Sequence, residues 1–524
     1  MTYAWKSSGR QKESDVRKKN MSDMEQTKNP LGYERIGKLL RNFAIPSIIA
    51  MLVSSLYNVV DQIFIGQGVG FRGNAATNVA FPITTICMAI TLTIGIGSSA
   101  RFSLYLGKKQ EEEAAKVVGN GVCMMLLFGT LYAVIVELFL PKLLWAFGAT
   151  PEVYDYALTY SRITSIGIPF LVMMNGMSNL ARADGSPMYS MTSMIIGAVI
   201  NTILDPIFIF IFKWEVAGAA WATVIGQVAS FVSAILYLRR FKRITMKREY
   251  YRLSWAQMGR TASMGMSNGL TQLAITLVQV VMNRSLTYYG GLSEFGPDIP
   301  LAASGVVMKV NGILFSVLIG INQGMQPILG FNYGAAKYDR VKATYKLVIK
   351  TVLLITVIAL ITFQVFPQYI LAVFGKENDL YMTFAVLFMR TFLLLIPLSG
   401  VQMISSNLFA AIGKPLRGAL LSLTRQVFFL IPLMLILPRI LPWFLKLIGV
   451  QQIFGVPVSG IHGVLAAAPC ADFLAFVVVL IFIIREMKDM TRLQQSTVNG
   501  KTLTEDNVTE AETETNTGLS EMEE

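Results

Sequence analysis

The sequence predicts an all-α integral membrane protein. Its twelve transmembrane helices form two six-helix bundles, related by a pseudo-two-fold axis along the membrane normal. Three observations predict this. Twelve apolar runs follow one another along the chain, each long enough for a spanning helix of about 20 residues. The lysines and arginines between them favour every second loop. The second half of the chain also repeats the first.

Composition excludes the ordinary soluble classes. Of 524 residues, 53% are hydrophobic and 15% are charged, where an average soluble chain carries about 25% charge. The mean hydropathy is +0.54. The 42 glycines and 19 prolines exclude a long coiled coil. In lipid every backbone polar group must be satisfied within the segment, so the runs are helices. They are too long for barrel strands and lack period-two alternation.

In chain order, residues 1–38 form a basic cytoplasmic arm, expected to be flexible. No short apolar segment with a small-residue cleavage site marks it as a secretory signal. Met21 and Met24 are alternative starts to Met1. The first bundle, 39–240, holds spans at 39–65, 77–105, 116–140, 156–180, 188–212 and 217–238. A basic linker, 241–257, follows. The second bundle, 258–485, holds spans at 258–287, 301–331, 344–366, 381–410, 416–437 and 459–484. The tail, 486–524, is rich in Thr and Glu, lacks aromatics and is expected to be disordered.

The net charge of +13 does not gather into a nucleic-acid-binding patch. With the N-terminus inside, the arm, even-numbered loops and tail carry 33 Lys and Arg against 6 on the opposite side. Both termini are therefore expected in the cytoplasm of a multi-pass protein of the cell membrane. Cys87, Cys123 and Cys470 lie in apolar runs and suggest neither disulfides nor a zinc site. The lone His462 reads as structural.

At one offset Gly97 pairs with Gly324, Gly107 with Gly334, and Phe147-Gly148 with Phe374-Gly375. One residue further on, Arg162 pairs with Arg390, Pro169 with Pro397, Asn179 with Asn407 and Gly185 with Gly413. These are not the residues that chance similarity between apolar helices would match. Each half has an even number of spans, so both enter from the same side. Gly185-Ser186-Pro187 and Gly413-Lys414-Pro415 suit tight helical hairpins.

Acids within spans are costly and usually functional. Asp61 shares a helix face with Asn58, and Asp205 with Asn201. Pro206 removes a backbone donor and tends to free a carbonyl one turn earlier. Carboxylate, amide and carbonyl oxygens together suit a proton or a hard cation. The bland reading of Asp205 is a structural carboxylate bonded to a neighbouring helix. Glu137 reads as snorkelling, and Asp472 as a weaker candidate. The second half lacks acids in spans seven to eleven and offers amides, Gln272 and Gln279 among them. Lys309 there either faces a central cavity as a counter-charge or pairs locally. Met173, Met174 and Met177 are either adaptable cavity contacts or plain packing.

The run Asp61-Gln62-Ile63-Phe64-Ile65-Gly66, Gly97 with Leu106-Gly107-Lys108-Lys109, Ala181-Arg182-Ala183-Asp184-Gly185, Asn201 with Asp205-Pro206, and Gly218-Ala219-Ala220-Trp221-Ala222-Thr223 fall in a telling order. Over about residues 35–485 the chain resembles the multidrug and toxic compound extrusion transporters, above all the bacterial multidrug-export branch. The resemblance implies a V-shaped exporter, an antiporter exchanging bulky amphipathic organic cations for H⁺ or Na⁺. It needs no prosthetic cofactor and is expected to be a monomer. The family's cation site carries over to Asp61, Asn201, Asp205 and Thr223. The substrate cavity is expected at Asn58, Met173, Met177, Gln272, Gln279 and Lys309, with hinges at Pro46 and Pro206. Family carboxylates in spans seven and ten are absent here. Two alternative readings stand beside the exporter. A lipid-linked oligosaccharide flippase of the same superfamily would use Lys309, Arg284, Arg390 and Arg425. An intramembrane enzyme would need a metal or nucleophile motif, and the sequence shows none.

Overall fold

The computed structural model describes residues 29–373, 379–453 and 456–498. Arm residues 1–28, tail residues 499–524 and the Phe374-Gly375 pair lie outside them.

The first half folds as α1 (Ile36–Gly68), α2 (Phe71–Gly107), α3 (Glu111–Ala146), α4 (Pro151–Ala183), α5 (Pro187–Pro206) and α6 (Glu215–Leu236). The second half folds as α7 (Trp255–Gly291), α8 (Asp298–Gly334), α9 (Tyr338–Val365), a short α10 (Pro367–Ala372), α11 (Asp379–Phe392), α12 (Ile396–Ala411), α13 (Pro415–Leu423), α14 (Ile431–Leu447) and α15 (Gly460–Val498). A two-stranded ribbon, Gln452–Ile453 with Val456–Pro457, precedes α15. Prolines open α4, α5 and α13, where a missing N–H costs nothing. Gly185 at φ 86° and Gly413 at φ 88° end the preceding helices in the left-handed region.

Twelve spans in two six-helix bundles result, several of them irregular. The tenth is α11 and α12, which meet at a bend of 49°. Pro397 lies just past the break, and its ring disfavours a continuous helix there. The fifth and eleventh contain π-helical turns, Ile207–Ile211 after Pro206 and Thr424–Leu430 before Pro432. The eleventh then continues through α14 to Leu447, beyond the expected 437. Among the described residues ten helices are apolar enough to span, or eleven with the bent pair joined. The remaining one, α7, carries Thr261, Ser263, Ser267, Asn268, Thr271 and Gln272 in its first half, which faces α2 rather than lipid. The expected tail boundary at 486 is also corrected. Helix α15 runs on to Val498 because Glu486 and Met490 are buried and Lys342 donates to Thr491 and Gln494.

Each bundle has its own apolar core, including Phe102, Met125 and Leu140 in the first and Phe384, Phe388 and Leu465 in the second. The perimeter is apolar as well. On α9, Leu354, Ile358, Ile361 and Val365 form one exposed stripe, which only a lipid environment stabilises.

The bundles meet along a seam near the end that carries both described termini. A Cβ on Gly265 of α7 would lie 1.8 Å from Thr93 O of α2, and one on Gly97 of α2 would lie 2.1 Å from Thr261 O. A Cβ on Gly324 of α8 would lie 2.6 Å from Ala44 N of α1. The helices therefore cross backbone to backbone. Arg101 clamps the same seam, donating to Thr261 Oγ1 at 2.8 Å and to Gln257 O at 2.9 Å. Residues 29–34 are held against the second bundle. Lys337 donates to Gly32 O, Arg340 to Glu34 O and Asn332 to Leu31 O.

Candidate functional site

Asp61 and Ile48 lie on opposite faces of α1. They are roughly 220° apart at 3.6 residues per turn. Ile48 meets Gly320 of α8, so Asp61 points into the first bundle and is only 8% exposed. Asp205, at the end of α5, is fully buried. The two carboxyl groups lie within hydrogen-bonding reach of one another. Asn201, one turn before Asp205, donates through Nδ2 to Asp205 Oδ1 at 3.3 Å and to Thr223 Oγ1 of α6 at 3.4 Å. Three buried oxygens here have no hydrogen-bond donor: Asp61 Oδ1, Asn201 Oδ1 and Asp205 Oδ2.

This is a pocket of oxygens without enough protons. Two carboxylates in contact repel unless a proton or a cation sits between them. A cavity of about 50 Å³ opens beside it, lined in part by Tyr57, Asn175, Asn201, Thr223 and Gln227. That is room for a few waters or a bare ion, not for an organic molecule. The geometry thus gathers Asp61, Asn201, Asp205 and Thr223 beside a space too small for a drug.

Other expected residues fall elsewhere. Met173 and Met177 are corrected: both are buried in the first-bundle core, because their face of α4 packs inward, and neither lines an open cavity. Met174, between them, borders the small cavity. Asn58 is exposed and donates to Ser54 O of its own helix. Gln272 is half-buried, while Gln279 and Lys309 are exposed. Pro46 lies within α1 at the seam, and Pro206 starts the π-helical turn. Glu137 meets Arg162 and Ser165 near a helix end. Asp472 pairs with Arg425 at 2.5 Å. His462 accepts from Ser459 N.

Sequence reasoning missed Tyr57, Tyr160 and Gln227. Tyr57 and Tyr160 stand close enough to interact electrostatically with both carboxyl groups. Tyr57 is one turn before Asp61 and Gln227 one turn after Thr223, so the four-residue spacing that paired Asn201 with Asp205 was available for them too.

A family model, MatE, matches residues 46–207 and 261–436. The chain belongs to the MatE family. These are the multidrug and toxic compound extrusion transporters, so the protein is a transporter and not an enzyme. The transporter is 25% identical over 403 residues to the multidrug export protein MepA of Staphylococcus haemolyticus (strain JCSC1435), covering 77% of this chain and 87% of that one. It is 23% identical over 401 residues to MepA of Staphylococcus aureus (strain MSSA476), covering 76% and 87%. A MOP superfamily transporter from Pyrococcus furiosus Vc1, whose reverse polarity of the binding pocket suggests a different function, superposes with a TM-score of 0.78. It is 20% identical and covers 88% of this chain and 98% of its own. The outward-facing conformation of a multidrug resistance MATE transporter also superposes at 0.78, with 20% identity and 87% and 97% coverage. These two structures share the transporter's fold.

Proposed function

We propose that the protein is a secondary antiporter of the cell membrane. It exports amphipathic organic compounds, cationic drugs among them, in exchange for H⁺ or Na⁺. Both termini face the cytoplasm, as the 33-to-6 distribution of basic residues requires. On that orientation the seam closes the cytoplasmic side. The observation that carries the reading is the buried pair Asp61 and Asp205, with three unpartnered oxygens among the pair and Asn201, next to a cavity sized for an ion.

The ion neutralises the pair, with Asn201 and Thr223 completing its oxygen shell. Asp205 stands directly before Pro206 and the π-helical turn, where α5 has lost regular hydrogen bonding. Occupancy of the pair can therefore bias the bend of α5, and Pro46 gives α1 a second hinge. The bundles then rock about the seam, and the ion in the first bundle and substrate in the cleft between the bundles are taken up in alternation.

The flippase reading needs a shared basic cavity. Its four basic residues do not gather: Arg425 is held by Asp472, and Arg390 donates to Gln364 O.

Proteoliposomes given a pH gradient or a Na⁺ gradient separately identify the coupling ion. Ethidium efflux driven by that gradient should fail with Asp205→Asn; unchanged efflux at normal expression sinks the coupling role.

A further inference from the structure

We infer that the cleft between the bundles holds an anionic group of its substrate at Lys309, so that among the exported compounds amphipathic zwitterions and anions are favoured over bare cations of the same scaffold. The inference rests on the export reading above and names the substrate class of the cleft.

Lys309 precedes Gly320 on α8 by 11 residues, which is about three turns at 3.6 residues each. The two share one face. At Gly320 and Gly324 that face touches the backbone of α1. Further from the termini it is open at its glycines. A Cβ built on Gly305 or Gly312, one turn either side of Lys309, would meet no atom within 4 Å. Lys309 itself is exposed and forms no ion pair with a described residue. It stands in an open bay between two glycines, on the face turned toward the other bundle.

The same construction holds on α7. Gly265 and Gly269 touch Thr93 of α2, and Gln272, Thr276 and Asn283 continue that face beyond the seam. The opposing faces of α1 and α2 carry neutral residues such as Ser55, Pro82 and Ile86. Arg101 of α2 is engaged within the seam by Thr261 and Gln257; within the spans and beyond the seam, Lys309 is the only charge on these four facing surfaces among the described residues.

The carboxylates do not offset it there. Asp61 and Asp205 lie behind α1, inside the first bundle, beside a cavity of about 50 Å³. A bare organic cation in the cleft meets a fixed ammonium and no counter-charge. A carboxylate or phosphate on the same scaffold meets its counter-charge in a low-dielectric site, with amide donors opposite. A lysine inside a span is costly to keep, and this arrangement gives it a partner only when substrate is bound.

The test uses the full-length protein and two dyes of one scaffold. Rhodamine 110 carries a carboxylate and a cationic ring system; rhodamine 123 is its methyl ester and is only cationic. Binding is read by fluorescence polarisation for wild type, Lys309→Met and Lys309→Arg. Lys309→Met should weaken rhodamine 110 about tenfold and leave rhodamine 123 unchanged or tighter, and Lys309→Arg should bind both as wild type does. Equal losses on both dyes, or no loss on rhodamine 110, overturn the inference. Proteoliposome export of either dye by wild type upholds the export reading in that case. Neither binding nor export of either dye overturns both readings.

Discussion

Gly107 and Gly334 pack reciprocally across the seam between the bundles. A Cβ on Gly107 would lie 2.1 Å from Phe331 O, and one on Gly334 would lie 2.2 Å from Leu104 O. The two are repeat mates, as are Gly97 and Gly324, which serve the crossings of α2 with α7 and of α8 with α1. The obstructing atoms are backbone, so no side-chain rotation relieves the clash. Gly107→Val and Gly334→Val should each disfavour the closed seam by about 1–3 kcal/mol. Spin labels at Glu111 and Asp339, in a background without the three cysteines, should move apart, and transport should fall. An unchanged distance with unchanged transport would remove the seam's role as a gate.

Those glycines show how the fold was legible. Their pairing at a constant offset is legible in the sequence alone, because a two-fold-related contact imposes the same size limit on both copies. The span count, the hairpin turns and the pairing of Asn201 with Asp205 follow from length, turn chemistry and helical spacing, whereas the joining of Asp61 to them is what the family resemblance implies. Other features depend on neighbours that the sequence does not display. Met173 and Met177 have the composition of a cavity wall, and only their partners make them core. The break before Pro397 and the π-helical turns depend on which freed carbonyls find other donors. The end of α15 is set by the buried Glu486, which Lys414 and Arg417 hold at 3.0 and 3.2 Å.

The ion pocket predicts a graded mutant series. Hydrogen bonds and contacts to a charged group contribute about 1.5–3 kcal/mol each. Thr223→Ala should therefore raise the ion concentration needed for half-maximal transport about tenfold, with the maximal rate largely kept. Asp61→Asn and Asp205→Asn should abolish ion-driven transport, since each leaves a single carboxyl group. Transport by Thr223→Ala with wild-type ion dependence would exclude Thr223 from the ion's shell.

Asp184 predicts a pH response at the linker. It lies in the turn after α4, is buried, and accepts from Tyr237 Oη at 2.7 Å, Lys242 N at 2.7 Å and Arg243 N at 3.2 Å. Burial raises its pKa from 3.8 to about 6, against the lowering effect of those donors and of the Arg243 charge. The folded state therefore takes up a proton more readily than the unfolded chain. The stabilising effect of that proton is full below pH 3.8 and is lost as pH rises through about 6. Locally the sign is opposite, because the two linker N–H groups bond best to the ionised carboxylate. Hydrogen exchange at Lys242 and Arg243, corrected for intrinsic rate, should speed up as pH falls from about 7.5 to 5.5. Asp184→Asn should exchange fast at both pH values. Flat corrected rates in wild type would show that Asp184 does not hold the linker.

The Arg425–Asp472 pair predicts the opposite of a coupling site. Asp472 is 3% exposed at its side chain and Arg425 is 13% exposed, so both charges were taken out of solvent to meet at 2.5 Å. Arg425 lies in the π-helical turn of the eleventh span and Asp472 on α15, so the pair ties an irregular helix to its neighbour. Removing one partner strands the other. Arg425→Met should destabilise the protein by about 3–5 kcal/mol, while Arg425→Met with Asp472→Leu should recover most of that loss. Unfolding curves of the two single variants and the double variant give the coupling energy directly. Transport separates the roles. A structural pair predicts that the recovered double variant exports with the wild-type ion dependence, because Asp61 and Asp205 are untouched. A stable double variant that has lost ion-driven export would instead make Asp472 a second coupling carboxylate, in the half of the chain that lacks the family carboxylates of spans seven and ten.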